Sequence, residues 1–141
     1  MSHRPELTES ETIRTILQRF RTVAVVGLSP KPHRDSYGVA HYMQQAGWKI
    51  IPINPAASEI LGEPAYPSLQ AAAKDHPIEL VDVFRNAADV PPVVDDAIAV
   101  GAQAIWLQLG IVHDAALARA RAAGLLTVQN RCLKVDHRNL R

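Results

Sequence analysis

The sequence predicts an α/β protein built on a doubly wound parallel sheet of about five strands, and three observations carry that prediction. Short apolar runs, rich in β-branched residues, alternate with amphipathic stretches of helical period along the chain. Three times such a stretch ends in glycine and passes into an apolar run, at Gly47, Gly101 and Gly124. The runs are apolar at nearly every position, which suits strands covered on both faces and hence a parallel sheet between two helix layers. Right-handed crossovers then give a doubly wound sheet, and order 3-2-1-4-5 is the simplest choice.

Each element has a local warrant. Thr8 and Glu11 have the spacing of a capping box, with Ser10 as a rival cap. Ile13, Ile16, Leu17 and Phe20 follow at helical spacing, which predicts an N-terminal helix over residues 9–21. Thr22–Gly27 reads as the first strand. Val39, Tyr42, Met43 and Ala46 mark the next helix, and Trp48–Ile53 the second strand. A short helix is predicted over 68–74, then a third strand over Glu79–Phe84. Pro91 and Pro92 fit the first turn of a helix capped by Asp89, where a missing N–H costs nothing; Val93, Val94, Ala97 and Ile98 form its buried face. Ala104–Gln108 is the fourth strand, Asp114–Ala123 an Ala-rich helix, and Leu125–Gln129 the fifth strand.

Composition bounds the function. The 141 residues correspond to a single domain, and 48% apolar with 21% charged residues excludes a disordered chain. Fifteen Lys and Arg against fourteen Asp and Glu leave a net charge of +1. The broad basic field of a nucleic-acid or anionic-membrane binder is therefore missing. The single cysteine, Cys132, rules out an intrachain disulfide and a metal site built on Cys pairs. No stretch approaches a membrane span, and Met1–Glu6 has no apolar signal core, so a cytoplasmic protein is expected.

In such sheets ligands bind beyond the carboxyl ends of the strands. Those ends lead into Ser29, Asn54, Arg85, Gln108 and Asn130, each able to hydrogen-bond. The loop after the first strand, Gly27 to Gly38, carries the sharpest signal. Gly27 lets the backbone turn close to a ligand, Ser29 offers a hydroxyl, and Lys31 and Arg34 bring positive charge to a helix start that already favours anions. This is the physics of a phosphate cradle, but Gly-x-Gly-x-x-Gly is absent. Nor does the second strand end in the acid that holds a dinucleotide ribose; it ends in Asn54, which disfavours NAD.

Other candidates are weaker. The six histidines show no metal spacing, and Cys132 has no evident His partner. Trp48 and Trp106 read as core, with Trp106 near enough to a strand exit to border an adenine pocket. Asp82 is a carboxylate inside a run expected to be buried, and it either pairs with a neighbour or marks a partly exposed strand.

Val23–Pro32, Arg34–Gly38 and Ile51–Pro55 together resemble the small bacterial CoA-binding proteins of the YccU type. The likeness continues through Val81–Asn86, Ile105–Gly110 and Asn130–Cys132, and these proteins are in turn similar to the N-terminal domain of the succinyl-CoA synthetase α subunit. The resemblance implies a Rossmann-like domain that binds coenzyme A. It matches Gly27, Leu28, Ser29 and Pro30 to the phosphate loop, completed by Lys31, Arg34, Ser36 and Tyr37. Pro52, Asn54 and Pro55 match the exit flanking ribose and adenine; Phe84, Arg85, Leu107, Gln108 and Leu109 match segments bordering the nucleotide and the pantetheine arm. The synthetase's phosphohistidine domain has no counterpart here, so ligase chemistry is not implied. Asn130–Cys132 stands where the synthetase has Pro-Asn-Cys-Pro, which leaves that segment's role open.

The expected function is binding of CoA or acyl-CoA without catalysis and without a metal. Two other readings are a small enzyme acting on an acyl-CoA or nucleotide and an NAD(P)-binding sensor. The expected partner is a small-molecule nucleotide, with no nucleic acid and no membrane; a protein partner is left open.

Overall fold

The computed structural model describes residues 6–140. The stretch Met1–Pro5, most of the segment read as lacking a signal core, lies outside the described residues. Helix α1 (Glu9–Arg19) begins with the capping box as expected. The Thr8 Oγ1 accepts the Glu11 N–H at 3.1 Å, and the Glu11 carboxylate accepts the Thr8 N–H at 2.9 Å. These bonds hold the Glu11 carboxyl below its ordinary range.

Next come β1 (Thr22–Val26), α2 (Asp35–Gln45) and β2 (Lys49–Ile53). A two-stranded antiparallel hairpin of β3 (Glu59–Ile60) and β4 (Glu63–Pro64) leads to the short helix α3 (Leu69–Ala73). The chain continues through β5 (Leu80–Val83), α4 (Val90–Ala99), β6 (Ala104–Leu107), α5 (Asp114–Ala122), β7 (Leu126–Val128) and α6 (Leu133–Leu140). The hairpin and α6 were not anticipated. Gly47, Gly101 and Gly124 take positive φ where α2, α4 and α5 stop, so the helix–Gly–strand pattern is real. Asp89 occupies the N-cap position of α4, but its side chain caps nothing and lies 3.7 Å from Arg85 instead.

All five long strands are parallel, in the order β2-β1-β5-β6-β7. Counted along the sheet strands this is 2-1-3-4-5, and it corrects the expected 3-2-1-4-5. Pro52 supplies a physical reason. Its carbonyl faces away from β1 and accepts the Tyr66 N–H at 2.9 Å, so the N–H that proline lacks would have faced the same outer side. A strand with that gap belongs at an edge. Tyr66, bridged to Ile53, covers it, and β5 crosses to the far side of β1.

The sheet separates two cores. One lies under α3, α4 and α5 and contains Leu69, Val94, Leu107 and Leu117; the other lies under α1, α2 and α6 and contains Ile16, Met43, Trp106 and Leu133. Among the described residues no helix is long and apolar enough to cross a membrane.

Asp82 sits in the middle of this scaffold with no exposure. It shares a face of β5 with Leu80, between Val25 and Trp106 on the neighbouring strands. Neither carboxylate oxygen has a hydrogen-bond partner among the described residues. Of the two readings left open, partner or exposure, neither holds. Burial pushes its carboxyl well above the usual carboxylate range, and the nearby Val83 N–H offsets this only in part, without completing a hydrogen bond.

Candidate functional site

The order reversal falls between β1 and β5, and a cleft opens there over the carboxyl ends of the strands. Three hollows compose it, of about 500, 410 and 820 Å³. Gly27, Ser29 and Phe84 border both the first and the second; Arg34, Asp35 and Phe84 border both the second and the third. Phe84 is thus the ridge around which one extended groove runs.

The middle hollow is the loop read as a phosphate cradle. The Ser29 N–H donates to Ser36 Oγ at 3.0 Å, and Ser29 Oγ accepts the Lys31 N–H at 3.1 Å, so two hydroxyls latch the turn to the start of α2. Lys31 and Arg34 line this hollow, exposed, and neither forms an ion pair among the described residues. Asp35, the first residue of α2, is the carboxylate that lines it.

Gly27 has a second task beside the one its sequence suggested. Its φ is +87°, and a Cβ there would stand 2.5 Å from the Phe84 carbonyl oxygen. The glycine makes room for the exit of β5 while itself bordering the first two hollows.

The first hollow lies at the β2 exit, with Pro30, Asn54 and Pro55 on its wall. Asn54 works as a strut: its Nδ2 donates to the Leu28 carbonyl at 2.9 Å and its Oδ1 accepts the Ala56 N–H at 2.8 Å. The β2 exit carries no acid, as read. The carboxylate in this hollow, Asp96, comes from α4 and accepts from Gln70 Nε2 at 2.8 Å.

The third hollow is the largest. Phe84, Arg85, Gln108 and Leu109 line it, and Leu109 is 70% exposed. Gln108 is buried, its Oε1 accepting the Leu133 N–H at 3.1 Å, which ties the β6 exit to α6. Its outer wall was missed by sequence reasoning: Cys132, Lys134, Val135 and Arg138 come from α6 and the residue before it. Cys132 is half-buried on that wall.

Four matched residues do not line the groove. Leu28 and Leu107 are fully buried, Pro52 is buried within β2, and Tyr37 packs on the core beside His41. Trp106 is also fully buried and donates from Nε1 to the Arg131 carbonyl at 2.8 Å, so it borders no adenine pocket. That bond belongs to a brace formed by 130–132. Asn130, at φ +58°, accepts the Gly110 N–H at 2.8 Å, and Arg131 forks onto the buried Asp136 with both bonds at 2.8 Å.

Three of the histidines serve structure. His113 caps α5 by accepting the Ala116 N–H, His76 meets the Tyr66 hydroxyl at 3.1 Å, and His137 meets the Tyr42 hydroxyl at 2.9 Å. Desolvation, aided by the bond to Asp75, raises the Tyr66 hydroxyl above its ordinary value.

Known proteins are similar to this chain. A Bacillus subtilis (strain 168) protein, YneT, itself described as uncharacterized, is 40% identical over 125 residues, covering 89% of this chain and 91% of its own. A hypothetical protein from Pyrococcus horikoshii OT3 superposes with a TM-score of 0.87 at 38% identity, over 99% of this chain and 98% of its own. A Thermus thermophilus structure gives 0.88 at 31% identity, over 96% of this chain and all of its own. The family model described as the CoA binding domain matches residues 21–138, from the foot of β1 to within α6. With the groove lying inside that span, the chain belongs to the CoA binding domain family.

Proposed function

We infer that this chain binds coenzyme A across the carboxyl edge of its sheet and performs no chemistry of its own on it. The observation that carries the reading is the cradle between β1 and α2. Lys31 and Arg34 stand there without carboxylate partners among the described residues, beside a turn latched by Ser29 and Ser36. A pyrophosphate in that hollow meets two cations and the first N–H groups of α2, and charge-assisted bonds to phosphate are about twice as strong as neutral ones. Family membership supports coenzyme A as the nucleotide. Asn54 at the β2 exit supports it further, since a carboxylate there would repel a 3′-phosphate. In this reading Phe84 and Arg85 divide the nucleotide from its pantetheine arm, which runs past Gln108 and Leu109.

The groove supports a binding role better than an enzymatic one. His33, Asp35 and Cys132 line its largest hollow, but no hydrogen bond links any two of them among the described residues. A nucleophile with an oriented base is therefore not assembled. Native mass spectrometry of freshly purified protein tests the ligand directly. A retained mass of CoA or an acyl-CoA is expected; NAD or NADP as the retained species refutes the reading.

A further inference from the structure

The α6 wall carries a feature that the reading above leaves unassigned. Lys134 and Arg138 lie one helical turn apart and both line the largest hollow. Neither forms an ion pair among the described residues, whereas Arg85 and Arg131 do. The Lys134 ammonium lies 5.7 Å from the centre of the Tyr42 ring, a contact that holds the charge without neutralising it. The same hollow is lined by Phe84, Gln108 and Leu109, and by Arg85, whose charge is engaged by Asp89 at 3.7 Å. The carboxylate lining this hollow, Asp35, stands at the cradle end, at the start of α2.

We propose that Lys134 and Arg138 form a distal anion subsite, so that the acyl-CoA this groove fits best carries a free carboxylate at the far end of its acyl group. The proposal rests on the coenzyme A reading and deepens it. A neutral acyl chain crossing this hollow leaves both cations facing water and gains nothing from them. A chain ending in carboxylate places opposite charge beside them, where the protein wall weakens solvent screening. A phosphate of the nucleotide is the other anion the ligand offers, and the test separates the two.

The matched probes are butyryl-CoA and succinyl-CoA, equal in carbon number and differing at the end of the chain; valeryl-CoA and glutaryl-CoA repeat the comparison one carbon further out. Each is titrated calorimetrically into the full chain at low ionic strength, where exposed charges are least screened. Wild type is expected to prefer the carboxylate member of at least one pair by about tenfold, equivalent to about 1.4 kcal/mol. In the Lys134→Gln, Arg138→Gln variant, shown to be folded by circular dichroism, that ratio falls to about one. A wild-type ratio near one in both pairs overturns the proposal. A variant that weakens free CoA as much as succinyl-CoA gives the cations to the nucleotide phosphates and overturns it too. If wild type binds no CoA at all, the underlying reading fails, and this proposal with it.

Discussion

Replacing Asp82 by valine is expected to stabilise the protein, and by more near pH 7 than near pH 4. The carboxyl is fully buried between Val25 and Trp106, with neither oxygen satisfied among the described residues. Even in its neutral form such a group costs about 1–3 kcal/mol relative to an apolar side chain. Ionisation adds a second cost, and its sign follows from the raised folded-state value. Below the unfolded value of about 3.9 both states hold the proton, and no further penalty applies. As pH rises past it, the unfolded chain ionises while the native state does not. Stability from this residue then falls by about 1.4 kcal/mol per pH unit until the folded value is reached. The variant's advantage is thus about 1–3 kcal/mol near pH 4 and larger near pH 7. At about 2–4 °C per kcal/mol, removing the neutral-form cost alone raises the melting midpoint by roughly 2–12 °C, and the gain is greater near neutrality. Urea titrations of both proteins, followed by far-UV circular dichroism across this range, give the difference directly. An advantage that stays constant with pH, or a variant less stable than wild type near pH 7, refutes the reasoning.

Gly27→Ala is expected to cost about 2–3 kcal/mol or more, because it combines positive φ with a Cβ driven against the Phe84 carbonyl; urea denaturation measures it. Arg131→Ala strips the bidentate partner from the buried Asp136. Since Arg131 is 41% exposed, solvent replaces part of that bond, and a loss of about 1–2 kcal/mol in the same assay is expected. Pure protein should turn over neither acetyl-CoA nor succinyl-CoA above the buffer rate, followed by thiol release. Turnover abolished by substituting Ser29, Arg85 or Gln108 would restore the enzymatic reading.

The strands and their exits were legible because buried parallel strands announce themselves as apolar runs, and glycines mark where helices return to them. The cradle was legible because Ser29, Lys31 and Arg34 lie within one short loop. The strand order was misread although Pro52 signalled it, since a proline whose missing N–H faces outward marks an edge. Resemblance transfers whole segments, so Leu28, Pro52 and Leu107 come with the lining residues although the fold buries them. Neighbouring residues at a strand exit alternate between core and cleft, as Leu107 and Gln108 do. Helix α6 escaped because it spans only eight residues and turns Asp136, a carboxylate, inward. That position makes sense only once Arg131 is seen to pair with it. The wall of Lys134, Val135 and Arg138 therefore emerged only with the fold.

The central claim is that the groove recognises coenzyme A through its phosphates. A thermal-shift series with CoA, dephospho-CoA, NAD and NADP, on wild type and on the Lys31→Ala, Arg34→Ala variant, tests it most directly. At about 100 times its dissociation constant, CoA should stabilise wild type by about 2.7 kcal/mol, a rise of roughly 5–11 °C. At the same concentration dephospho-CoA should give a smaller shift and NAD the smallest, while the variant should lose most of the CoA response. A larger shift with NAD than with CoA contradicts the account, and an undiminished response in the variant removes the phosphates from the cradle of Lys31 and Arg34.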